Sequence, residues 1–212
     1  MKLLYKDLAL AVHPTFYIFT QLGCLVLAPA YPYTVVFLFG CLAPYISFMY
    51  ARETNDAWFT ALLPVKKSEI IVSKFRLVCC AQLTQLCIAL VFALLRFLLH
   101  IPNNPVGLDP TVAWFGIGFF IYGVYNLVFF PAFYKTGYKA GKAFFLAMIP
   151  VVDCMLITEL LAHLPALLWM DSLVPRHLLS QIPLLLAGLV FYGCATVFSC
   201  RLSVRRYEKV DL

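Results

Sequence analysis

The chain has 212 residues, of which 63% are hydrophobic and 12% are charged, and its mean hydropathy is +0.90. A soluble domain usually carries about twice that share of charged residues, and it needs them to cover its surface. The length and apolar character disfavour a secreted disulfide scaffold, and the 19 Phe and 12 Tyr exclude a disordered chain. The composition predicts a polytopic membrane protein, without separating channels, transporters and membrane enzymes.

The N-terminal segment 1–11 mixes apolar and charged residues with nearly helical spacing. Leu3, Leu4, Leu8 and Leu10 can face lipid while Lys2, Lys6 and Asp7 face water. This pattern is typical of a short helix that lies on the membrane surface. An early start of the first membrane span is the alternative.

Six apolar stretches are long enough to cross a membrane, which takes about 20 residues per helix. They cover residues 14–30, 33–49, 77–99, 112–133, 143–162 and 182–200. The first has no small-residue cleavage site, so we interpret it as a retained span instead of a signal peptide. The absence of an internal repeat or linker predicts one domain over residues 1–212. The predicted fold is therefore all-α, with six transmembrane helices.

The distribution of basic residues predicts the orientation of these spans. With six spans, all of the 16 Lys and Arg residues except Arg96 and Arg176 fall on one side. The positive-inside rule makes that side cytoplasmic, so both termini are predicted to be inside. The formal charge of +6 is then a topology signal, and we expect no nucleic-acid partner.

The loop 51–76, ARETNDAWFTALLPVKKSEIIVSKFR, is the longest connection on the predicted cytoplasmic side. Asn55 and Asp56 are helix N-cap types, and they precede an apolar face that Pro64 ends. A second helix is then expected to continue into span three without a break. From the residues alone, the loop is either an ordinary polar connection with an interfacial Trp58 or an amphipathic element that docks a cytoplasmic partner.

Four polar side chains are predicted to lie inside the membrane: Gln82, Gln85, Asn126 and Asp153. One interpretation groups all four around a translocation pathway. The other treats the amides as interhelical hydrogen-bonding groups and gives Asp153 a functional or dimer-interface role, because a carboxylate at mid-membrane is costly. Arg96, near the outer end of span three, is expected to extend to the lipid headgroups.

No constellation of catalytic, metal-binding or nucleotide-binding residues is apparent. The loop KTGYKAGK at 135–142 departs from a phosphate-binding loop in spacing and in the residue after Lys142. The four histidines form no HExxH motif, and the eight cysteines lack zinc-site spacing. We therefore expect no enzyme, metal or cofactor site in this chain. The outer segment 163–180 is too apolar for a free loop, which predicts a re-entrant helical pair. An amphipathic surface helix would fit nearly as well.

The inner loops resemble those of the permease subunits of ABC-2-type exporters, in particular the compact bacterial group that includes phenol-soluble modulin exporters and bacteriocin immunity exporters. The first loop carries the likeness in the residues Asp56, Trp58, Leu63, Pro64, Val65, Lys66, Lys67, Glu69, Ile70, Ile71, Val72 and Lys74. The second loop carries it in the run from Lys135 to Lys139, which resembles the basic-Gly-Tyr turn of the family. The family often has Ser where this chain has Lys66, so the local helix cap is expected to differ.

The resemblance implies an exporter permease of the bacterial inner membrane that dimerises with a second copy or a sister permease. Each copy would bind a cytoplasmic ATPase subunit, and that partner would hold ATP and Mg. The docking contact would be 55–64, with Trp58 as the apolar anchor, and its residues would be Asn55, Asp56, Trp58, Phe59, Leu62, Leu63 and Pro64. Hydrophobic or amphipathic peptides are the implied substrates. A channel or proton-coupled transporter that uses Asp153 is the alternative.

Overall fold

The computed structural model describes residues 2–29, 31–136 and 139–207, and these residues form helices without a strand. We number the α-helices in chain order. They are α1 (Lys2–Lys6), α2 (Thr15–Gln21), α3 (Val35–Glu53), α4 (Asp56–Ala61), α5 (Lys67–Leu98), α6 (Val112–Lys135), α7 (Ala140–Ala162) and α8 (Pro175–Tyr207). A π-helical turn, Asp7–Ala11, extends α1, and 3₁₀ helices follow α2 (Leu22–Leu27) and α7 (Pro165–Asp171).

Five helices, α3, α5, α6, α7 and α8, are long and apolar enough to cross a membrane. They confirm the predicted all-α fold and correspond to predicted spans two to six. As expected, α5 continues without a break from the inner loop into its span, over 32 residues. The last helix, α8, begins at Pro175, seven residues before the predicted start of span six, because Pro is well suited to the first turn of a helix.

The first predicted span, 14–30, is not one regular helix. Its described part consists of α2 and the following 3₁₀ helix, which we together call the α2 segment (Thr15–Leu27). The helix α1 with its π-helical turn meets the α2 segment at 99°. The His13 ring packs against Tyr50 near the end of α3, with centroids 5.2 Å apart, and the Val26 carbonyl accepts a hydrogen bond from Arg96 near the end of α5. The segment therefore runs along most of the bundle. Ala30 lies outside the described residues.

The outer segment 163–180 was predicted to form a re-entrant helical pair or an amphipathic surface helix. It contains one 3₁₀ helix, Pro165–Asp171, followed by the start of α8 at Pro175. The 3₁₀ helix packs on the end of the bundle, where the Thr111 hydroxyl donates to the Met170 carbonyl at 2.8 Å. The Gln181 amide donates to the Trp169 carbonyl at 2.7 Å. These two bonds hold the short helix against the starts of α6 and α8.

The helix α6 is the centre of the bundle and packs against α8, α7, α3 and α5. Its aromatic side chains form much of the core, including Trp114, Tyr122, Tyr125, Phe129 and Phe130, all fully buried. The α6–α8 crossing is so close that a Cβ on Gly116 would lie 2.8 Å from the Leu184 carbonyl oxygen. Glycine at this crossing allows the two backbones to touch.

The described N- and C-terminal parts of the chain lie at the same end of the bundle. Phe75 in α5 stacks on Phe130 in α6 with centroids 3.6 Å apart, which places the start of α5 beside the end of α6. Arg206 in α8 donates to the Pro131 carbonyl. We call this the basic end, defined by Lys6, Lys74, Lys135 and Arg206, and the other the opposite end, which contains Arg96, Asp109 and Asp171.

Gly188 and Gly193 provide a matched test of the α6–α8 crossing. A methyl group on Gly188 would overlap the Gly116 carbonyl oxygen, whereas one on Gly193 would meet no atom within 4 Å. Gly188→Ala is expected to lower the free energy of unfolding by about 1–3 kcal/mol. Gly193→Ala should be neutral or stabilising by up to about 1 kcal/mol, because alanine favours helix. Thermal unfolding in detergent measures both, and equal effects of the two changes would contradict the close crossing.

Candidate docking surface and embedded polar groups

The helix α4 is a six-residue segment between α3 and α5. Asn55 precedes it in the left-handed backbone conformation, with φ of 53°, a conformation that asparagine tolerates better than most residues. The Thr54 hydroxyl donates to the Tyr50 carbonyl at 3.0 Å and closes the last turn of α3. These two residues turn the chain sharply, so α4 is placed against α1 and the start of α5.

The outward face of α4 is apolar. Trp58, Phe59 and Leu62 are 69%, 49% and 65% exposed. Their positions, i, i+1 and i+4, put them on one side of a helix. Pro64 and Asn55 are exposed beside them, and Leu63 is half-buried. We call Trp58, Phe59 and Leu62 the α4 apolar face.

The inward face of α4 is polar and buried. The Asp56 carboxylate accepts from Lys6 Nζ at 2.6 Å and from Lys74 Nζ at 2.7 Å. Lys6 also donates to the Thr60 hydroxyl at 2.8 Å. Of the seven residues predicted to contact a partner, Asp56 thus faces the protein interior, and its contacts fix α4 in place.

The same two lysines reach Asp7, which is 2% exposed. Lys74 donates to one Asp7 oxygen at 2.8 Å, and the Ser73 hydroxyl donates to the other at 2.7 Å. The prediction that Lys6 and Asp7 face water was wrong, because Lys6 pairs with Asp56 of α4, Asp7 pairs with Lys74 of α5, and the two also pair with each other at 3.1 Å. We call Lys6, Asp7, Asp56 and Lys74 the charge cluster. It contains two cations and two anions, so its formal charge is zero.

The charge cluster determines the ionisation of Asp56. Burial alone raises the pKa of this carboxyl, but Lys74 and Lys6 more than offset that effect, so its pKa lies below the ordinary value. A carboxyl with a lowered pKa in the folded state stabilises the fold fully above its unfolded pKa of about 3.9. That contribution is lost as the pH falls through the folded-state pKa. The cluster is thus intact at neutral pH.

The amides predicted inside the membrane are buried and bonded between helices. Gln82 and Asn126 form a reciprocal pair, with N–O distances of 3.1 and 3.0 Å. Tyr192 donates to the Gln82 oxygen at 3.0 Å, so α5, α6 and α8 are joined at one point. Gln85 donates to the carbonyls of Phe19 and Val36 at 3.2 and 3.1 Å and accepts from a tyrosine of α6.

Asp153 lies apart from these amides. It is exposed on α7, on a surface that also carries Ile149, Leu156 and Leu160. No hydrogen bond or ion pair joins it to another described residue. Of the four residues predicted around a pathway, the structure therefore brings Gln82 and Asn126 together, places Gln85 one turn away and separates Asp153.

A second set of buried charges lies at the opposite end. Arg96 is 5% exposed and donates to Asp109 at 3.0 Å, to Tyr33 and to the Pro102 carbonyl. The prediction that Arg96 extends to the headgroups was wrong, since the loop after α5 folds back and surrounds its guanidinium. Burial raises the pKa of Asp109, although the Asn104 N–H and Arg96 act in the other direction.

The sequence analysis did not identify the partners in these two sets of charges. The sequence around Asp7 indicates a cationic partner, because a carboxylate in an otherwise apolar turn needs a cation. Nothing in the sequence identifies Lys74 as that partner, since it is one of several basic residues in its loop. Asp109 and Arg96 are 13 residues apart and meet only because of the loop conformation. Within the described part of the chain, no three His, Cys, Asp or Glu side chains are arranged to hold a metal ion. Gly137 and Tyr138 of the second inner loop lie outside the described residues.

A family model described as ABC-2 family transporter protein matches residues 2–208. No curated protein and no solved structure matches the chain.

Removal of one lysine tests the charge cluster. Lys74→Gln leaves Asp7 and Asp56 with an incomplete set of cations, and the expected loss is about 3 kcal/mol of unfolding free energy, because an unpaired buried charge is costly. Arg76→Gln is the control, since Arg76 is exposed on the same helix two residues away. Thermal unfolding in detergent at pH 7 measures both. Equal stability of the two variants would show that the cluster contributes little.

Proposed function

Because the chain belongs to the ABC-2 family of transporter proteins, we propose that it is the permease subunit of an exporter driven by a separate cytoplasmic ATPase. The permease provides the membrane path. ATP and Mg bind to the partner subunit, and the chain itself performs no hydrolysis.

The α4 apolar face is the observation that carries this proposal. Trp58 and Phe59 of α4 and Leu62 directly after it expose three large apolar side chains at the basic end, which is unfavourable in water. A buried Trp commonly dominates the affinity of a protein interface, and Trp58 is the most exposed of the three. We assign this face, with Asn55, Leu63 and Pro64 around it, to the groove of the ATPase. Asp56 lies on the inward face of α4 and holds this helix in the position that presents the apolar face.

The charge cluster connects α4 to two other helices, as transport driven by a docked ATPase requires. Through Asp56, α4 is bonded to Lys6 of α1 and to Lys74 of α5. A displacement of α4 by the ATPase would therefore move α1 and α5 with it. The helix α5 passes this movement on through Gln82 and Gln85, which are bonded to α6, α8, α3 and the α2 segment.

The proposed topology places the basic end in the cytoplasm. Both described ends of the chain lie there, together with Lys6, Lys74, Lys135 and Arg206, and the positive-inside rule makes such a basic end cytoplasmic. The α2 segment then counts as the first of six crossings. A bacterial inner membrane is the proposed location, in line with the resemblance to bacterial permeases.

The exposed carboxylate of Asp153 supports a dimer. A single chain would present this group to lipid on α7, at a cost of several kcal/mol. A second permease copy or a sister permease packed on the surface of Ile149, Leu156 and Leu160 would cover it. In the dimer Asp153 would lie at the seam, where a path for hydrophobic or amphipathic peptides is proposed. The buried amides would not touch the peptide, but their hydrogen bonds would fix the positions of the helices that form the wall of this path.

A proton-coupled transporter or channel is the second candidate, and the same exposed Asp153 favours it. In that case the chain alone would move its substrate or ions across liposomes, with a pH dependence that Asp153→Asn removes. Absence of flux until an ATPase subunit is added would exclude this candidate.

A substitution on the α4 apolar face tests the ATPase contact. Trp58→Ala with Leu62→Ala should reduce the recovery of the ATPase at least about tenfold, because two central apolar contacts are lost. The measurement is affinity purification of the full chain from its native membrane, followed by quantitation of a co-purified protein that carries G-x-x-x-x-G-K-[ST].

Phe97→Ala is the matched control for this experiment. Phe97 is 63% exposed but lies near the end of α5 away from α4. Its loss should leave the recovered ATPase unchanged. Unchanged recovery with the Trp58 and Leu62 variant, at equal membrane insertion, would refute the docking assignment.

A further inference from the structure

A cavity lies at the basic end, between α6, α7 and α8, away from the charge cluster. Its volume is about 790 Å³. Four cations line it: Lys135 at the end of α6, Lys139 and Lys142 at the start of α7, and Arg206 near the end of α8. We call it the basic cavity. It has no place in the proposed ATPase contact.

The charge of the basic cavity is not balanced within the described part of the chain. None of its lining residues is acidic, and the first turn of α7 contains no acidic residue. The three lysines are exposed and form no ion pair with a described carboxylate. Arg206 donates to the Pro131 carbonyl, which holds its guanidinium on the rim. The cavity therefore attracts an anion.

The walls below this rim are apolar. Leu127 lies eight residues before Lys135 in α6, and Phe198 lies eight residues before Arg206 in α8. On both helices the lining thus extends about 12 Å from the cations toward the middle of the bilayer. Leu146 and Phe198 are exposed at the side of the bundle, where the cavity opens to lipid.

From this arrangement we propose that the basic cavity binds an anionic phospholipid of the adjoining leaflet. The phosphate of the headgroup lies among Lys135, Lys139, Lys142 and Arg206, and an acyl chain lies along Leu127, Leu146 and Phe198. Basic pockets between transmembrane helices commonly hold anionic headgroups, and each lysine or arginine near the membrane surface adds to that attraction. Free phosphate would use only the rim, whereas a phospholipid uses the rim and the walls.

Lipid binding to the purified full chain tests this proposal. In neutral detergent, native mass spectrometry would count bound phosphatidylglycerol and phosphatidylcholine at equal concentrations. We expect at least about tenfold preference for phosphatidylglycerol, lost when Lys135, Lys139 and Lys142 are all changed to Gln. The single change Lys142→Gln should cause a smaller, severalfold loss.

The control is Arg201→Gln with Arg205→Gln, because both residues are exposed on α8 near the same end but do not line the cavity. This variant should retain the preference. Equal binding of the two lipids by the unchanged chain would overturn the proposal, as would equal losses in the two multiple variants.

Two further measurements distinguish a phospholipid from free phosphate or an acidic peptide as the bound anion. Phe198→Ser should weaken binding of phosphatidylglycerol, because it removes an apolar wall that free phosphate does not touch. Displacement of the lipid by millimolar inorganic phosphate, or by a short acidic peptide, would contradict a phospholipid as the occupant. Each outcome is independent of whether Trp58 binds an ATPase.

Discussion

The arrangement at the basic end depends on the charge cluster. Lys6 and Asp7 belong to α1 and its π-helical turn, Asp56 belongs to α4 and Lys74 belongs to α5. Any one of these charges would be costly to bury alone, and the four become tolerable only together. Their mutual bonding decides which side of α4 faces inward. The outward exposure of Trp58, Phe59 and Leu62 is therefore a consequence of how Asp56 is held.

Besides the charge cluster, two kinds of contact hold the bundle together deeper in the membrane. The Gln82–Asn126 pair and its tyrosine partner join three helices through hydrogen bonds. Gly116 and Gly188 let α6 and α8 touch along their backbones. By contrast, α7 and α8 each present many apolar side chains outward, and α7 also presents Asp153. The most buried of the five crossing helices is α6, so the core of the bundle lies around it.

The sequence was sufficient for features that depend on local periodicity and composition. Long apolar runs predicted six crossing helices, five of which are long helices in the structure, and Pro64 together with the N-cap types predicted a short helix before α5. Features that depend on tertiary contacts were not predictable. Lys6 and Asp7 look like water-facing residues until α4 and α5 supply their partners, and Arg96 looks free until the loop folds over it. The break in the α2 segment was also missed, because a hydropathy pattern does not report a 3₁₀ turn packed at Gly23 against α5.

The position of the two buried charges on α5 has a consequence for the length of this helix. Lys74 and Arg96 are 22 residues apart, or about 33 Å along an α-helix, and about 40° apart around its axis. Each is bonded to carboxylates that other segments hold in place. Insertion of one residue between them would rotate one charge by about 100° relative to the other. Substitutions between 74 and 96 can thus be accommodated by repacking, whereas a change in the number of residues would break an ion pair at one end of the bundle.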